Sequence, residues 1–394
     1  MIALASIVLA AQLTHGDFVA DFQTLWSEVK NGYAYFDAKA TRWDEVPQLY
    51  RADLDQVKTK TQFIALLEKV LDELYDAHTQ LTVNTPSSPR LVPSGTDLWA
   101  EWIDGKATVT EVRRDSTAWR AGIRPGLVTT SVDDVPIAEA VDRRIGRAVA
   151  HDNPAARGWA LRAVLAGTHD KARKINNVIL SAEEREGSGR GRVTSSILGG
   201  NIGYINFNDS LGDQETIKDF DAALAALKDT KGLILDLRDT PSGGNSSVAR
   251  GILSRFVDRE MPYQKHELVE EEREIGVRRS WLELVSPRGP FRYSAPVVVL
   301  VDHWTGSMGE GIAIGFDAIG RATIVGTPMA GLNGATYHIQ LPHTGIGVNV
   351  PAEKLFHVNG TPREKFVPPV VVDVNSETAA DPFLQRGLAI LLLR

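Results

Sequence analysis

A serine that could act as a nucleophile stands between an apolar strand and a helix. Ser307 lies in the stretch Thr305-Gly306-Ser307-Met308-Gly309-Glu310, which follows the apolar run at residues 295–301. A hydroxyl at a helix start lies where backbone N–H groups and the helix dipole favour developing negative charge. The alternative is that Ser307 only caps the helix, as serine often does.

A second strand–loop–helix unit offers backbone donors. The strand predicted at residues 232–238 is followed by Gly243-Gly244 and then by a helix at residues 246–256. Two glycines at a strand end leave their N–H groups unhindered. Gly243 or Gly244, together with the amide of Met308, could therefore form an oxyanion hole. The alternative is an ordinary turn between a strand and a helix.

These two units together resemble a known family. The motif Gly-Leu-Ile-Leu-Asp-Leu-Arg-x-x-Pro-x-Gly-Gly from residue 232, followed by Thr-x-Ser-x-Gly-Glu from residue 305, resembles the C-terminal processing (tail-specific) peptidases and the tricorn protease core, peptidase family S41. The resemblance covers nearly the whole chain after residue 18. It implies an α/β fold, with a crotonase-like or ClpP-like βα core preceded by an N-terminal helical segment and a PDZ-like domain.

The resemblance also implies how the serine is activated. Tail-specific peptidases use a lysine, but Leu332 or Asn333 stands at that position and no lysine occurs between Met308 and Glu353. The tricorn-like branch uses a histidine and a glutamate instead. His78 and Glu364 fall on these two positions.

The implied site is therefore a Ser307 nucleophile, a His78 base and a Glu364 that orients the imidazole. The tricorn core has a serine just before its histidine, but Ala77 stands there, and Asp76 is a possible substitute. His303 and His338 are rival bases. Glu310 is expected to be structural, because a carboxylate in the first turn complements the helix dipole.

The chain divides into four parts. Residues 1–16 contain an apolar run that resembles the core of a secretory signal or is a frayed helix, and residues 17–90 show helical spacing, with Thr59 or Thr61 as a cap. Residues 91–195 resemble a PDZ-like domain through the glycine-containing pattern at residues 118–128, with a helical insertion at residues 154–166. Residues 196–394 alternate strands and helices and form the S41-like catalytic domain.

Composition narrows the partners. The net charge is −7 and the sequence has no basic stripe, so no nucleic-acid partner is expected. No apolar run is long enough to span a membrane. The absence of cysteine excludes a thiolate nucleophile and fits a periplasmic or secreted protein, with a cytoplasmic one as the alternative. Metal and nucleotide motifs are missing, so no cofactor is expected. The oligomeric state is left open.

Three functions are compatible with these patterns. The first is a serine peptidase that hydrolyses peptide bonds through an acyl-enzyme, with peptides or proteins as substrates. The second is a non-catalytic ligand- or peptide-binding protein of the same fold. The third is a crotonase-like acyl-CoA enzyme, which the PDZ-like insert and the serine at the helix start disfavour.

Overall fold

The computed structural model describes residues 13–181, 190–374 and 381–393. The signal-like run at residues 1–11 and most of the loop predicted at residues 183–192 lie outside the described residues. None of the described helices is long and apolar enough to cross a membrane.

The N-terminal segment is helical, as its spacing predicts. It contains α1 (His15–Gly32), α2 (Val46–Leu49), α3 (Arg51–Asp55) and α4 (Lys60–Asp72), two 3-10 turns (Phe36–Ala38 and Trp43–Glu45), and the short strand β1 (Gln80–Leu81). The Thr59 hydroxyl accepts the Gln62 amide at 3.2 Å, so Thr59 caps α4. This helix carries the chain to His78 in the turn before β1.

Residues 91–195 form a small unit around its own apolar core, which includes Val109, Ala160 and Ile175. Its elements are β2 (Leu98–Ile103), β3 (Lys106–Val112), α5 (Thr117–Arg120), β4 (Val128–Thr129), β5 (Ser131–Val132), β6 (Val135–Pro136), α6 (Ile137–Arg144), α7 (Pro154–Ala166), β7 (Arg173–Ile175) and β8 (Val178–Leu180). They make two sheets, β2-β3-β4 and β6-β5-β7-β8. The identity of this unit as PDZ-like stays a prediction.

The remaining residues carry ten strands and five helices among those described. The strands are β9 (Val193–Leu198), β10 (Ile202–Phe207), β11 (Gly232–Asp236), β12 (Met261–Leu268), β13 (Arg279–Val285), β14 (Val297–Val301), β15 (Ala322–Gly326), β16 (Ala335–Gln340), β17 (Gly347–Phe356) and β18 (Val370–Val371). The helices are α8 (Glu215–Ala226), α9 (Ser246–Leu253), α10 (Glu270–Ile275), α11 (Met308–Ala318) and α12 (Pro382–Leu392).

A six-stranded sheet of order β18-β15-β14-β11-β10-β9 brings two loops together. Its strands from β10 to β18 run parallel, and β11 and β14 are neighbours. Their carboxyl ends therefore meet at one edge, where ligands bind in open α/β sheets. A parallel bridge between Thr240 and Thr305 continues the pairing into the two loops. The glycine loop after β11 thus lies against the loop that holds Ser307.

A second, antiparallel sheet ties the N-terminal segment to this core. Its order is β1-β17-β12-β13, with β16 on the other side of β17. Gln80 and Leu81 pair with Asn349 and Val348, so the chain enters the sheet two residues after His78. The apolar faces of α1 and α4 pack in one cluster with residues of β17 such as Val348. This pairing places His78 beside the α/β core.

Candidate active site

Ser307 occupies a constrained turn at the start of α11. Its φ of 47° and ψ of −108° lie in a region that residues with a side chain rarely adopt. Such a conformation costs about 1–3 kcal/mol and is concentrated at functional sites. The Ser307 N–H donates to the Glu310 carboxylate at 2.9 Å, so the turn is held from the first turn of the helix.

The glycine loop contacts this turn directly. Gly243 has a φ of +68°, and a Cβ built on it would lie 2.4 Å from the Ser307 Cβ, so only glycine fits. The Gly243 N–H already donates to the Thr240 carbonyl at 3.1 Å. Among the described residues, the amides of Gly244 and Met308 have no acceptor. Of the three predicted oxyanion donors, these two are therefore available.

His78 is held through its ring nitrogen by a backbone carbonyl. Its Nδ1 lies 2.6 Å from the Asn333 carbonyl oxygen. Because a carbonyl only accepts, Nδ1 carries the hydrogen and Nε2 keeps a free lone pair in the neutral ring. Burial, and then the Arg363 cation, lower the pKa of His78 below its ordinary value. The imidazole is therefore neutral near pH 7, which is the state of a general base.

Asp76 anchors both His78 and the loop at residues 331–334 that faces it. Its Oδ1 accepts the His78 backbone N–H at 2.9 Å, and its Oδ2 accepts the Asn333 side-chain amide at 2.7 Å. The Tyr33 hydroxyl donates to Oδ2 at 2.5 Å. The Asp76 charge also raises the pKa of His78, against the larger effect of burial. The sequence suggested Asp76 only as a substitute for a missing hydroxyl.

The other side of the same loop contacts the turn that holds Ser307. The buried Arg363 donates to the carbonyls of Leu332 (3.0 Å) and Gly334 (2.8 Å) and lies 3.8 Å from the Glu310 carboxylate. Glu310 accepts the Gly331 amide at 2.9 Å. Burial raises the pKa of Glu310 to about 7. The expectation that Glu310 is structural fits these contacts, since it links the loop to the helix start.

Ser307 and His78 thus lie on two sides of one short loop. The Leu332 side chain reaches within 3.4 Å of a Cβ built on Gly306, and the next residue, Asn333, holds His78. In the part of the chain that the structure describes, no hydrogen bond joins the Ser307 hydroxyl to His78. Catalytic hydrogen bonds are often long without substrate and tighten when it binds.

Glu364 lies beside this cluster rather than on His78. It follows Arg363 in the 3-10 turn Arg363–Lys365, and its Oε2 is buried without a hydrogen-bond partner among the described residues. Burial raises the pKa of Glu364. Its charge acts on Tyr35 and Lys39, and the group on Nδ1 of His78 is the Asn333 carbonyl. The role of Glu364 as the orienting residue stays a prediction.

The rival base His303 belongs to an interface with residues 91–195. Its Nδ1 lies 2.5 Å from a Glu111 oxygen on β3, and its ring stacks on Trp99 with centroids 4.4 Å apart. The neighbouring Trp304 donates its indole N–H to the Thr96 carbonyl at 2.8 Å. These contacts hold the loop before Ser307 in place. They also bond His303 to Glu111, which disfavours His303 as the base.

The other rival, His338, lies on the exposed face of β16. Its Nδ1 is 3.1 Å from the Asn349 side-chain oxygen, and its Nε2 is 3.2 Å from Gln340.

Lys39 is a cation near the site that the sequence analysis did not single out. Its ammonium donates to the Tyr75 carbonyl at 3.3 Å, and burial lowers its pKa. No described group of three or more acidic or histidine side chains could hold a metal ion.

Comparison with known proteins gives consistent matches. Residues 201–372 match the model of peptidase family S41, and residues 15–72 match that of the tricorn protease C1 domain. Mature CPAF has 15% identity and a TM-score of 0.60 over 96% of each chain. The photosystem II D1 C-terminal processing protease has 18% identity and a TM-score of 0.56 over 94% of this chain and 100% of its own. The tricorn protease has 14% identity and a TM-score of 0.51 over 96% of this chain and 37% of its own. At these identities the solved structures establish the shared fold.

Proposed function

Because this chain belongs to peptidase family S41 and is a serine-type peptidase, we propose that Ser307 is its nucleophile and His78 its general base. The observation that carries the proposal is the contact of 2.6 Å between His78 Nδ1 and the Asn333 carbonyl. It leaves Nε2 as the proton acceptor on a ring whose lowered pKa keeps it neutral. Peptides or proteins are the substrates.

The reaction has two steps. The Ser307 hydroxyl attacks the scissile carbonyl while His78 Nε2 takes its proton, and the imidazolium then gives that proton to the leaving amine. Water then attacks the acyl-enzyme while His78 takes its proton, and the imidazolium returns that proton to the Ser307 oxygen as the product acid leaves. The imidazolium keeps its Nδ1–H on the Asn333 carbonyl, and the Asp76 carboxylate stabilises its charge. Glu364 is the residue that the family pattern assigns to this role.

The amides of Met308 and Gly244 are the proposed oxyanion donors. Both lack an acceptor among the described residues, and Met308 adds the positive end of α11. The loss of one such donor typically raises the barrier by about 2.7–4 kcal/mol. Gly243, whose amide is already bonded to Thr240, has a different role, since it leaves room for Ser307.

The unit at residues 91–195 is proposed to be PDZ-like and to bind peptide substrates by strand addition. Its contacts with the nucleophile loop support a link between the two. Glu111 lies against His303, and Arg113 pairs with Asp239 at 2.7 Å in the glycine loop.

A fluorophosphonate probe tests the mechanism, because it labels only an activated serine. We expect labelling of the wild type and none of Ser307→Ala. His78→Ala should slow labelling by about 100-fold or more, the usual contribution of a general base. His338→Ala is the matched control, because that histidine is exposed and bonded to Asn349, and it should label at the wild-type rate.

Two results would count against this function. Labelling that is indifferent to His78→Ala would mean that another group activates Ser307. A chain that neither labels nor cleaves a mixed peptide pool would favour the non-catalytic binding protein.

A further inference from the structure

A cleft opens next to His78, between the N-terminal helices and the unit at residues 91–195. It is bordered by α4, the turn at residues 76–81, the linker at residues 89–92 and the helices α6 and α7. Its empty space, open solvent at its mouth included, is about 630 Å³. Ala77 and Thr79, the residues on either side of His78, both line it.

Three carboxylates line the cleft, and Asp76 is already bonded to Tyr33, Asn333 and the His78 amide. Asp72 is paired with Arg144, with an oxygen 2.8 Å from the guanidinium. Glu68 has no ion pair within the described ranges, and its Oε1 accepts only the Ser88 hydroxyl. Burial raises the pKa of Glu68 by more than the Ser88 hydroxyl and the Arg144 cation lower it. A cation bound in the cleft would give Glu68 an ion pair.

A second, independent feature also indicates a ligand. Thr79 is only 9% exposed, yet its hydroxyl has no hydrogen-bond partner among the described residues. Buried hydroxyls are nearly always bonded, so an unpaired one that lines a cleft is suited to a bound group. The lining also includes the apolar Leu71 and the ring of Trp159, together with the cations Arg90 and Arg144. Trp159 already accepts one cation, since the Arg144 guanidinium lies 5.2 Å from its ring centre.

We propose that this cleft is a specificity pocket for a basic side chain of the peptide substrate. Glu68 is its counter-ion, the Thr79 hydroxyl a second polar contact, and Leu71 and Trp159 enclose the aliphatic stem. A lysine or arginine combines an apolar stem with a charged end in this way. The proposal rests on the proposed function, because it takes a peptide held at Ser307 to place a side chain beside His78.

Binding to the Ser307→Ala protein tests the pocket without turnover. The probes are fluorescein-labelled octapeptides of glycine, alanine and serine, in which one lysine is moved through all positions, and a matched series with norleucine. Norleucine keeps the stem and removes the charge. At one position we expect lysine to bind about tenfold or more tightly than norleucine, as a charged hydrogen-bonded contact would give. Fluorescence anisotropy measures the ratio.

Two further variants on the Ser307→Ala background assign the preference to Glu68. Glu68→Gln keeps the acceptor for Ser88 and removes the charge, and it should bring the lysine-to-norleucine ratio close to one. Glu28→Gln, an exposed carboxylate on α1, is the control and should leave the ratio unchanged. If Glu68→Gln does not fold, Thr79→Val should lower the ratio in the same direction.

The outcomes separate this inference from the proposed function. Equal binding of lysine and norleucine at every position, or a ratio that survives Glu68→Gln, overturns the pocket. A wild type that binds lysine peptides through Glu68 but cleaves none supports the pocket and overturns the peptidase mechanism. A wild type that cleaves both series with equal kcat/KM supports the mechanism and overturns the pocket.

Discussion

Replacing Asp76 by asparagine tests which carboxylate supports His78. Asp76 accepts the His78 amide, and its charge raises the pKa of the imidazole. Glu364 carries a charge too, but its effect falls on Tyr35 and Lys39. Without the Asp76 charge the pKa of His78 falls, so the base stays neutral at lower pH. We expect the acid limb of kcat/KM to move to lower pH in Asp76→Asn and to stay in place in Glu364→Gln.

The size of the effect on kcat follows from the hydrogen bonds. Asp76 Oδ2 accepts the Tyr33 hydroxyl at 2.5 Å and the Asn333 amide at 2.7 Å. An asparagine with Oδ1 kept on the His78 amide turns Oδ2 into a donor. The Tyr33 hydroxyl can rotate and accept, whereas the Asn333 NH2 group that faces this atom is a donor and cannot accept. One charge-assisted bond is lost, worth about 1.5–3 kcal/mol, so kcat should fall by about 10- to 150-fold.

The assay is steady-state hydrolysis of a fluorogenic peptide from pH 4 to pH 9. Asp21→Asn is the matched control, because Asp21 is a buried carboxylate on α1 that accepts the amides of His343 (3.0 Å) and Thr344 (2.7 Å). It should lower the unfolding temperature and leave the acid limb in place. The reasoning is refuted if Glu364→Gln moves the limb, or if Asp76→Asn leaves kcat at the wild-type value.

Four further changes have defined outcomes. Gly243→Ala places a Cβ 2.4 Å from Ser307 at a positive φ, so unfolding should show a loss of at least about 1 kcal/mol and probe labelling should cease. Ser307→Gly should be more stable than Ser307→Ala by about 1 kcal/mol in urea, because glycine relieves the φ of 47°. Arg363→Met leaves two carbonyls and the Glu310 charge buried, so urea unfolding should lose about 3–5 kcal/mol. Folding raises the pKa of Glu310 from 4.5 to about 7, so the native state binds more protons than the unfolded state between these pH values. The free energy of unfolding should therefore fall by about 3 kcal/mol as the pH rises from 4.5 to 7. Glu310→Gln should remove this pH dependence when unfolding is measured at pH 5 and pH 8.

The parallel core could be predicted because its signals are local. Strands β11 (Gly232–Asp236) and β14 (Val297–Val301) lie within the stretches predicted at residues 232–238 and 295–301, since buried parallel strands are short apolar runs bounded by turns. Thr59 is the predicted cap of α4 for the same reason: capping depends on residues three positions apart.

The antiparallel sheet was not predicted from the sequence. The strand β12 reads Met-Pro-Tyr-Gln-Lys-His-Glu-Leu, and its polar residues Gln264 and His266 are buried. Gln264 lies 3.0 Å from the His266 ring, which in turn bonds Glu353, so buried polar partners replace the apolar alternation that marks a strand. This strand, which belongs to the sheet that positions His78, was therefore not recognisable from the sequence.

For the candidate site, the sequence could predict side chains but not the backbone groups that contact them. Ser307, His78 and Glu364 were predicted from motif positions, although His78 lies 229 positions before the serine (307 − 78) and Glu364 lies 57 positions after it (364 − 307). The Asn333 carbonyl and the amides of Gly244 and Met308 have no residue-type signature, because every residue carries them. Only folding selects which of these backbone groups meets the imidazole.

This backbone contact also affects how the enzyme can change over time. A triad that relies on a third side chain is lost by one codon change, whereas any residue introduced at position 333 brings the same carbonyl to His78. Saturation mutagenesis of position 333 would remove the side-chain bond between Asn333 and Asp76, but it would leave the backbone carbonyl that accepts from His78 in place. Main-chain chemistry can reveal it: a thioamide installed by semisynthesis at residue 333 weakens the acceptor and keeps every side chain. The tautomer of His78 that this contact favours is thus insensitive to side-chain substitution at position 333.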